Sequence, residues 1–427
     1  MENTPGKSVF TTYQKAIIAM LAFIQFTVVL DFMVLSPLGA QLLQELHIST
    51  AQFGWVVSAY AFSAGISGLL TAGFADRFDR KKLLLFFYTG FVLGTFLCGI
   101  APDYYFLLMA RIVTGIFGGV ISSISFAIIT DLFDWQVRGR VMGVVQTSFA
   151  ASQVLGIPIG LYLANHFGWH SPFLLIVGLS VAAGIAIFSN MKPITAHLQL
   201  KTDRNPLQHL IHTVSKPDYL RGFAATTLLA TGGFMLMPFG SAFAIHNLGV
   251  TQNELPMIYM VTGVASIILG PLAGKLSDRI GKFRMFCFAS LWGMAVTIVY
   301  CNLGITPLWA LIFLNVLLFA GISARMVSAS ALMSAVPEPQ DRGAFMGVNS
   351  SVQQISGGVA SVIAGLIVVQ APDGTLQRYP LLGYIVAVAM LITIAMMYVI
   401  DRYVSRKQQT DHPAGAPAGV ERPQPTR

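Results

Sequence analysis

Residues 72–82 read Ala72-Gly73-Phe74-Ala75-Asp76-Arg77-Phe78-Asp79-Arg80-Lys81-Lys82, and 202 residues later the chain reads Gly274-Lys275-Leu276-Ser277-Asp278-Arg279-Ile280-Gly281-Lys282. Both runs are basic, both hold an Asp-Arg pair, and both interrupt long apolar stretches. Other marks repeat at nearly the same offset. Arg138-Gly139 with Met142-Gly143 matches Arg342-Gly343 with Met346-Gly347, and Pro37 matches Pro238. Apolar helices can align by chance, but polar coincidences at one offset are hard to reach that way. The chain reads as two parallel repeats.

Composition says where those repeats lie. Of 427 residues, 10% are charged and 55% hydrophobic, with 30 Phe and a mean hydropathy of +0.69. An average soluble chain is about 25% charged, so a soluble enzyme is excluded. A bilayer core of about 30 Å takes about 20 helical residues per crossing. Apolar segments fall at 14–36, 52–75, 82–101, 104–130, 139–164, 171–190, 219–245, 256–276, 284–303, 307–335, 343–369 and 380–401. The expected architecture is therefore an all-α membrane protein of twelve spans. Its parts are a six-helix bundle at 1–190, a linker at 191–218, a second bundle at 219–401 and a disordered tail at 402–427. Repeats of this kind place a substrate site between them, near the midplane.

The net charge of +8 could point to nucleic acid or to anionic lipid. With the N-terminus inside, 23 of the 26 Lys and Arg fall on the inner side, Arg378 alone lies in an outer loop, and Arg111 and Arg325 lie within spans. That asymmetry is a topology signal. It predicts a multi-pass protein of a bacterial inner or plasma membrane, both termini cytoplasmic, with lipid and no nucleic acid as partner. The first segment lacks a small-residue cleavage site and runs on to a second span, so it reads as a retained helix. Within the linker, Asn205 can cap a helix opened by Pro206. Leu207, Leu210, Ile211 and Val214 would then form an apolar stripe on the inner membrane surface. Cys98, Cys287 and Cys301 sit apart in apolar stretches and read as buried small hydrophobes.

The paired loops resemble the G-x-L-A-D-R-x-G-R-K signature of the major facilitator superfamily. The second copy keeps both glycines, while the first has Ala72 and Asp79 in their places. With twelve spans split six and six, the resemblance covers the whole chain. It implies two bundles working by alternating access, and a conformational latch made by Asp76, Arg77 and Arg80 in one repeat and Asp278, Arg279 and Lys282 in the other. The alternative is that these charges only fix topology and bind headgroups.

Charges inside spans cost at least a few kcal/mol unless paired or hydrated. Asp31 is the one acidic residue well inside a span. It can load and release a proton, pair with a cationic substrate, or simply be neutralised by an arginine. Arg111, about seven residues from the outer end of span 4, matches its depth at 1.5 Å per residue. The run Arg111-Ile112-Val113-Thr114-Gly115 resembles the superfamily's R-x-x-x-G signature, associated there with proton coupling. The expected device is protonation of Asp31 releasing Arg111. Arg325 has no acidic partner in any span, so it either favours an anionic substrate or packs between helices.

Gln146 and Gln153 share one face of span 5, and Asn349 and Gln353 one face of span 11. They can line a cavity or bond between helices. Tyr60, Phe234 and Tyr259 are candidate aromatic contacts. On span 5, Gly156, Pro158 and Gly160 kink and thin the helix for close packing. The run Leu155-Gly156-Ile157-Pro158-Ile159-Gly160, with Phe167-Gly168-Trp169 after it, resembles a variant of the antiporter signature, as in permeases of arabinose or sugar efflux type.

No H-E-x-x-H or G-x-S-x-G occurs, and Gly6-Lys7-Ser8 lacks the earlier glycine of a phosphate loop. No enzyme activity, cofactor or metal is expected. The reading is a monomeric secondary transporter exporting a small organic compound against protons. The alternatives are uptake of an organic anion and, more distantly, a non-transporting receptor or scaffold.

Overall fold

The computed structural model describes residues 10–71, 75–195, 198, 212–338 and 341–411. Among them are twelve helices long and apolar enough to cross a membrane. Spans 1–6 are Thr12–Val34, Thr50–Thr71, Arg80–Gly99, Tyr104–Leu132, Gln136–Phe167 and Ser171–Asn190. Spans 7–12 are Pro217–His246, Leu255–Ile280, Lys282–Cys301, Leu308–Ala335, Arg342–Ile367 and Tyr379–Lys407. The end carrying the basic loops is called the basic end below, and the opposite one the distal end.

Local chemistry sets several boundaries. Thr11 and Gln14 form a reciprocal capping box at the start of span 1. Asp79 caps span 3, its carboxylate accepting from the Lys81 N–H at 2.8 Å and the Ile194 N–H at 3.3 Å. The aspartate that departs from the superfamily signature thus ties the start of span 3 to the chain leaving span 6. In the second repeat Gly281 takes the corresponding turn with φ 99°, a left-handed value that favours glycine. The two repeats solve one turn in two ways.

Pro37 and Pro238 act alike because a proline has no N–H and clashes with the preceding turn. The span-1 helix stops at Val34 and a short helix follows at Gly39–Glu45. Span 7 stops at Phe234, passes through a 3₁₀ turn at Met237–Phe239 and resumes at Gly240–His246. Between spans 11 and 12 a small antiparallel pair joins Val369–Gln370 to Leu376–Gln377.

One boundary differs from the sequence reading. The last helix runs on to Asp411, and Lys407 donates to the carbonyls of Val336 and Pro337 at 3.2 and 3.1 Å, so 402–411 is helix anchored to the loop after span 10. In the linker, 212–215 is helical, while the stripe residues Leu207, Leu210 and Ile211 lie outside the described residues, as does the tail beyond 411.

The bundles meet mainly through spans 2 and 11 and through spans 5 and 8. Among the described residues, the hydrogen bonds that join the bundles lie toward the distal end. Ser36 Oγ donates to the Met237 carbonyl, and Ser241 Oγ to the Ser36 carbonyl at 2.9 Å. Thr50 Oγ1 reaches the Val368 carbonyl at 2.6 Å, Ser58 Oγ the Gly358 carbonyl at 2.7 Å, and Asn165 Nδ2 the Gln252 carbonyl at 2.8 Å. Glycines permit this approach: a Cβ on Gly54 would stand 2.8 Å from the Ser361 carbonyl, and one on Gly365 2.7 Å from that of Thr50. At the basic end, Arg80 with Asp131 and Lys216 with Asp341 each bond within one bundle. There Gly139, Gly143, Gly343 and Gly347 face open space. The hydrogen-bonded closure is distal; toward the basic end spans 2 and 11 still pack through Gly65 against Ile355, while spans 5 and 11 present open glycines.

Gly54→Val would force backbone from backbone at the distal contact, an overpacking cost of about 1–3 kcal/mol borne by this state alone. The variant is expected to shift the population toward distal opening. A cysteine at Ser58 should then react faster with an impermeant maleimide than the same cysteine beside Gly54.

Candidate functional site

The N-terminal bundle encloses a complete ion pair. Arg111 Nη1 donates to Asp31 Oδ2 at 2.8 Å, and the two side chains are 1% and 0% exposed. Thr95 Oγ1 donates to the other carboxylate oxygen at 3.1 Å, and the Arg111 guanidinium lies 4.6 Å from the centre of the Tyr60 ring. Spans 1, 2, 3 and 4 each contribute one group. Sequence depth alone had suggested Asp31 and Arg111 as neighbours, and the fold brings them together.

Glycines set this geometry. A Cβ on Gly94 would lie 2.6 Å from Thr114 Oγ1, and one on Gly115 2.5 Å from the Tyr60 carbonyl. Span 4 can therefore lie directly on spans 2 and 3, which puts Thr95 on the carboxylate and Tyr60 over the guanidinium. The glycine of the R-x-x-x-G run serves the arginine by letting span 2 in. Span 5 approaches from the other side. It carries a π-turn at Ser152–Gly156, one residue ahead of Pro158, which absorbs the missing N–H. Ser152 Oγ donates to the Phe26 carbonyl at 3.0 Å, and added Cβ atoms on Gly156 and Gly160 would meet Leu30 at 2.5 Å and Val34 at 3.0 Å. Gly156 and Gly160 thus pack on the span-1 turns flanking Asp31.

Phe32, next to the carboxylate in sequence, connects the pair to the other bundle. Its ring centre is 5.3 Å from that of Tyr60 and 6.0 Å from that of Phe234 on span 7. Phe234 in turn packs on Gly357, and Ser361 Oγ donates to its carbonyl at 3.1 Å. Tyr60 and Phe234 therefore belong to one aromatic bridge. Phe32 and Thr95 were missed from sequence: one was hidden among 30 Phe, and hydroxyls in helices ordinarily bond their own backbone.

Other candidates lie elsewhere. Tyr259 sits with Tyr300 and Tyr379 in the distal half of the C-terminal bundle. Asn349 accepts from Thr226 Oγ1 at 2.6 Å, a bond between spans 11 and 7, while Gln353 and Gln153 are half-buried and Gln146 is exposed. Arg325 is inside the C-terminal bundle and 5% exposed. Its Nε donates to Ser290 Oγ at 3.0 Å, its guanidinium lies 5.6 Å from the Phe286 ring, and its Nη2 has no hydrogen-bond partner among the described residues. A Cβ on Gly232 would lie 3.8 Å from its Nη1.

The latch candidates divide. The Asp76 side chain lies outside the described residues, and Arg77 is exposed. Arg80 is buried and binds Asp131 at 3.0 Å, joining spans 3 and 4. Asp278 pairs with Lys282 within its own loop, and Arg279 is exposed. A cross-helix contact in the second repeat comes instead from Asp341, which accepts from Lys216 at 2.6 Å and from Tyr219 at 2.9 Å. That hydrogen bond raises the Lys216 pKa above its ordinary value. Cys98 and Cys301 are buried and Cys287 half-buried, all as free thiols. Among the described residues, no three His, Cys, Asp or Glu side chains gather as metal ligands.

Chemically, the fully buried Asp31 carboxylate has one cation and one hydroxyl as donors. A proton on this carboxylate would compete with the charge on Arg111 for it.

The chain is similar to known transporters in sequence and shape. It is 23% identical to Multidrug resistance protein 2 of Bacillus subtilis (strain 168) over 67% of this chain and 73% of that one. It is 24% identical to the putative transporter AraJ of Escherichia coli (strain K12) over 57% of this chain and 61% of that one. The crystal structure of a D-xylose-proton symporter superposes with a TM-score of 0.73 at 15% identity, covering 90% of this chain and 97% of that chain. The family model for the Major Facilitator Superfamily matches residues 21–220 and 222–425. The chain therefore belongs to the major facilitator superfamily, whose members are transporters and not enzymes.

Proposed function

We propose that this protein exports a small organic compound in exchange for protons, with Asp31 and Arg111 as the coupling pair. The observation that carries the reading is the fully buried bond of 2.8 Å between them, next to an aromatic bridge joining the two bundles. The likeness to a multidrug resistance protein and the span-5 signature support the outward direction. In the proposed cycle, distal opening gives Asp31 a proton, which breaks its bond to Arg111. Rocking to the state closed distally delivers that proton to the basic side, and the pair re-forms as it stands here. The substrate binds near Phe32, Tyr60 and Phe234 and travels the opposite way. The machine acts as a monomer and needs no cofactor beyond the proton gradient.

A second reading, transport of an organic anion, has one observation in its favour. Gly232 holds the place in the second repeat that Asp31 holds in the first, 201 residues apart like Pro37 and Pro238. Arg325 reaches this place and finds no carboxylate, with Nη2 left unbonded. An anionic group would complete it.

Three measurements follow. In proteoliposomes, Asp31→Asn should abolish proton-driven accumulation while retaining substrate counterflow, and undiminished proton coupling would sink the coupling role. Wild-type protein without any counterflow would favour the receptor reading. For the second reading, Arg325→Gln should weaken organic-anion affinity about tenfold or more, roughly one lost charge-assisted contact. If affinity is unaltered, Arg325 is a packing residue. Finally, the basic end is cytoplasmic in this scheme, so a phosphatase active only outside the cell should be inactive when fused after Arg427. An active fusion would reverse the direction assigned to the cycle.

A further inference from the structure

Spans 8, 9 and 10 enclose an apolar groove of about 300 Å³ on the outside of the C-terminal bundle, away from the ion pair. Its floor is made of small residues, Ala273, Ala289 and Ala324, which pack together with Met285 as a separate core cluster. Its walls are large and exposed: Leu272, Leu276, Phe288 and Trp292. The Trp292 indole N–H is bonded to the Leu317 carbonyl at 3.1 Å, so the wall carries no unmet donor there.

The groove has a defined depth. On span 8 its lining runs from Leu269 to Leu276, about 10 Å at 1.5 Å per residue. Leu276 lies four residues from the end of the helix at Ile280. On span 8 the groove thus lies in the basic half, and on span 10 its wall from Leu317 to Ala324 carries it to the midplane, about 15 Å from the edge of the hydrocarbon core.

Cations flank its basic end, Lys275 beside Leu276 and Arg279 one turn further on. Continuing the span-8 stripe by three residues from Leu272 and Leu276 reaches Lys275 and Arg279, and stepping back four from Phe288 on span 9 reaches Arg284. All three are exposed, and none takes part in an ion pair among the described residues. The one carboxylate of this loop, Asp278, is engaged by Lys282. An apolar slot one leaflet deep, capped by three unpaired cations, has the charge and shape of an anionic phospholipid.

We propose that this groove is a binding site for one anionic phospholipid, its acyl chain between Leu272 and Trp292 and its headgroup phosphate on Lys275, Arg279 and Arg284. A second copy of this chain fits less well, because a two-fold pair across the groove would set the same cations against each other. The bound lipid wedges spans 8, 9 and 10 into one body, and span 8 also forms the contact with span 5 that must slide during transport.

The test compares phosphatidylglycerol with phosphatidylethanolamine of the same acyl chains, added to delipidated protein in detergent. Thermal unfolding and native mass spectrometry are the readouts. Wild type should retain one phosphatidylglycerol and gain more thermal stability from it than from the zwitterionic lipid. Substituting Lys275→Gln, Arg279→Gln and Arg284→Gln together should remove the preference. Ala320→Phe, which fills the groove and keeps the cations, should cut retention roughly tenfold. Equal response of wild type to both lipids, or unchanged retention in Ala320→Phe, overturns the proposal. So does a dimer that persists without lipid and disappears in Ala320→Phe, since it assigns the groove to a second copy.

Discussion

Two opposite charges cannot be taken out of water cheaply: desolvation costs several kcal/mol per ion, and their attraction offsets this only with good geometry and further hydrogen bonds. The Asp31–Arg111 pair imposes that demand on the N-terminal bundle, and much of the nearby architecture meets it. Thr95 supplies the second donor to the carboxylate, and Tyr60 offers a π-face to the guanidinium. Gly94 and Gly115 let spans 2, 3 and 4 close around the pair, and Gly156 and Gly160 bring span 5 to span 1. Among the described residues, Arg111 Nε has no hydrogen-bond partner. An incompletely satisfied buried cation suits a switch better than a staple, because the competing state need not give up a perfect site.

The second repeat shows the same scaffold without the pair. Asp31 corresponds to Gly232, and Arg111, seven residues into span 4, corresponds to Asn315, seven residues into span 10. Asn315 bonds its own helix at the Leu311 carbonyl. The charge moves instead to Arg325, ten residues further along the same helix, where Ser290 and Phe286 hold it. Duplication has therefore left one bundle with a closed electrostatic circuit and the other with an open one. Such a division suits a machine in which one half handles the proton and the other remains free to recognise cargo.

Much of this was legible in the sequence because charges are so scarce in it. A chain with 10% charged residues cannot scatter them, so the basic loops marked topology and the few buried charges marked chemistry. The twelve spans and the juxtaposition of Asp31 with Arg111 follow from that scarcity and from helical rise. What escaped depends on side-chain direction or on residues too common to signal anything. Phe32 is one phenylalanine among 30, and Asp79 looked like damage to a signature when it is a cap. Arg325 was legible as unpaired, but only packing shows it turned toward span 9. The breaks around Pro37 and Pro238 hide within hydrophobic runs that hydropathy reads as continuous.

The glycines carry a further consequence for motion. Those at the distal contact, Gly54 and Gly365, are compressed against backbone, as their packing requires. Gly139 and Gly143 of span 5 and Gly343 and Gly347 of span 11 meet nothing, although a glycine inside an exposed helix costs about 1 kcal/mol relative to alanine. Both pairs occur at the repeat offset, so the same cost is incurred twice at equivalent places. If the basic ends of the bundles close as the distal ends do here, spans 5 and 11 reach their partners through these bare surfaces. On the proposed cycle, the open glycines are the closed contact of the other conformation.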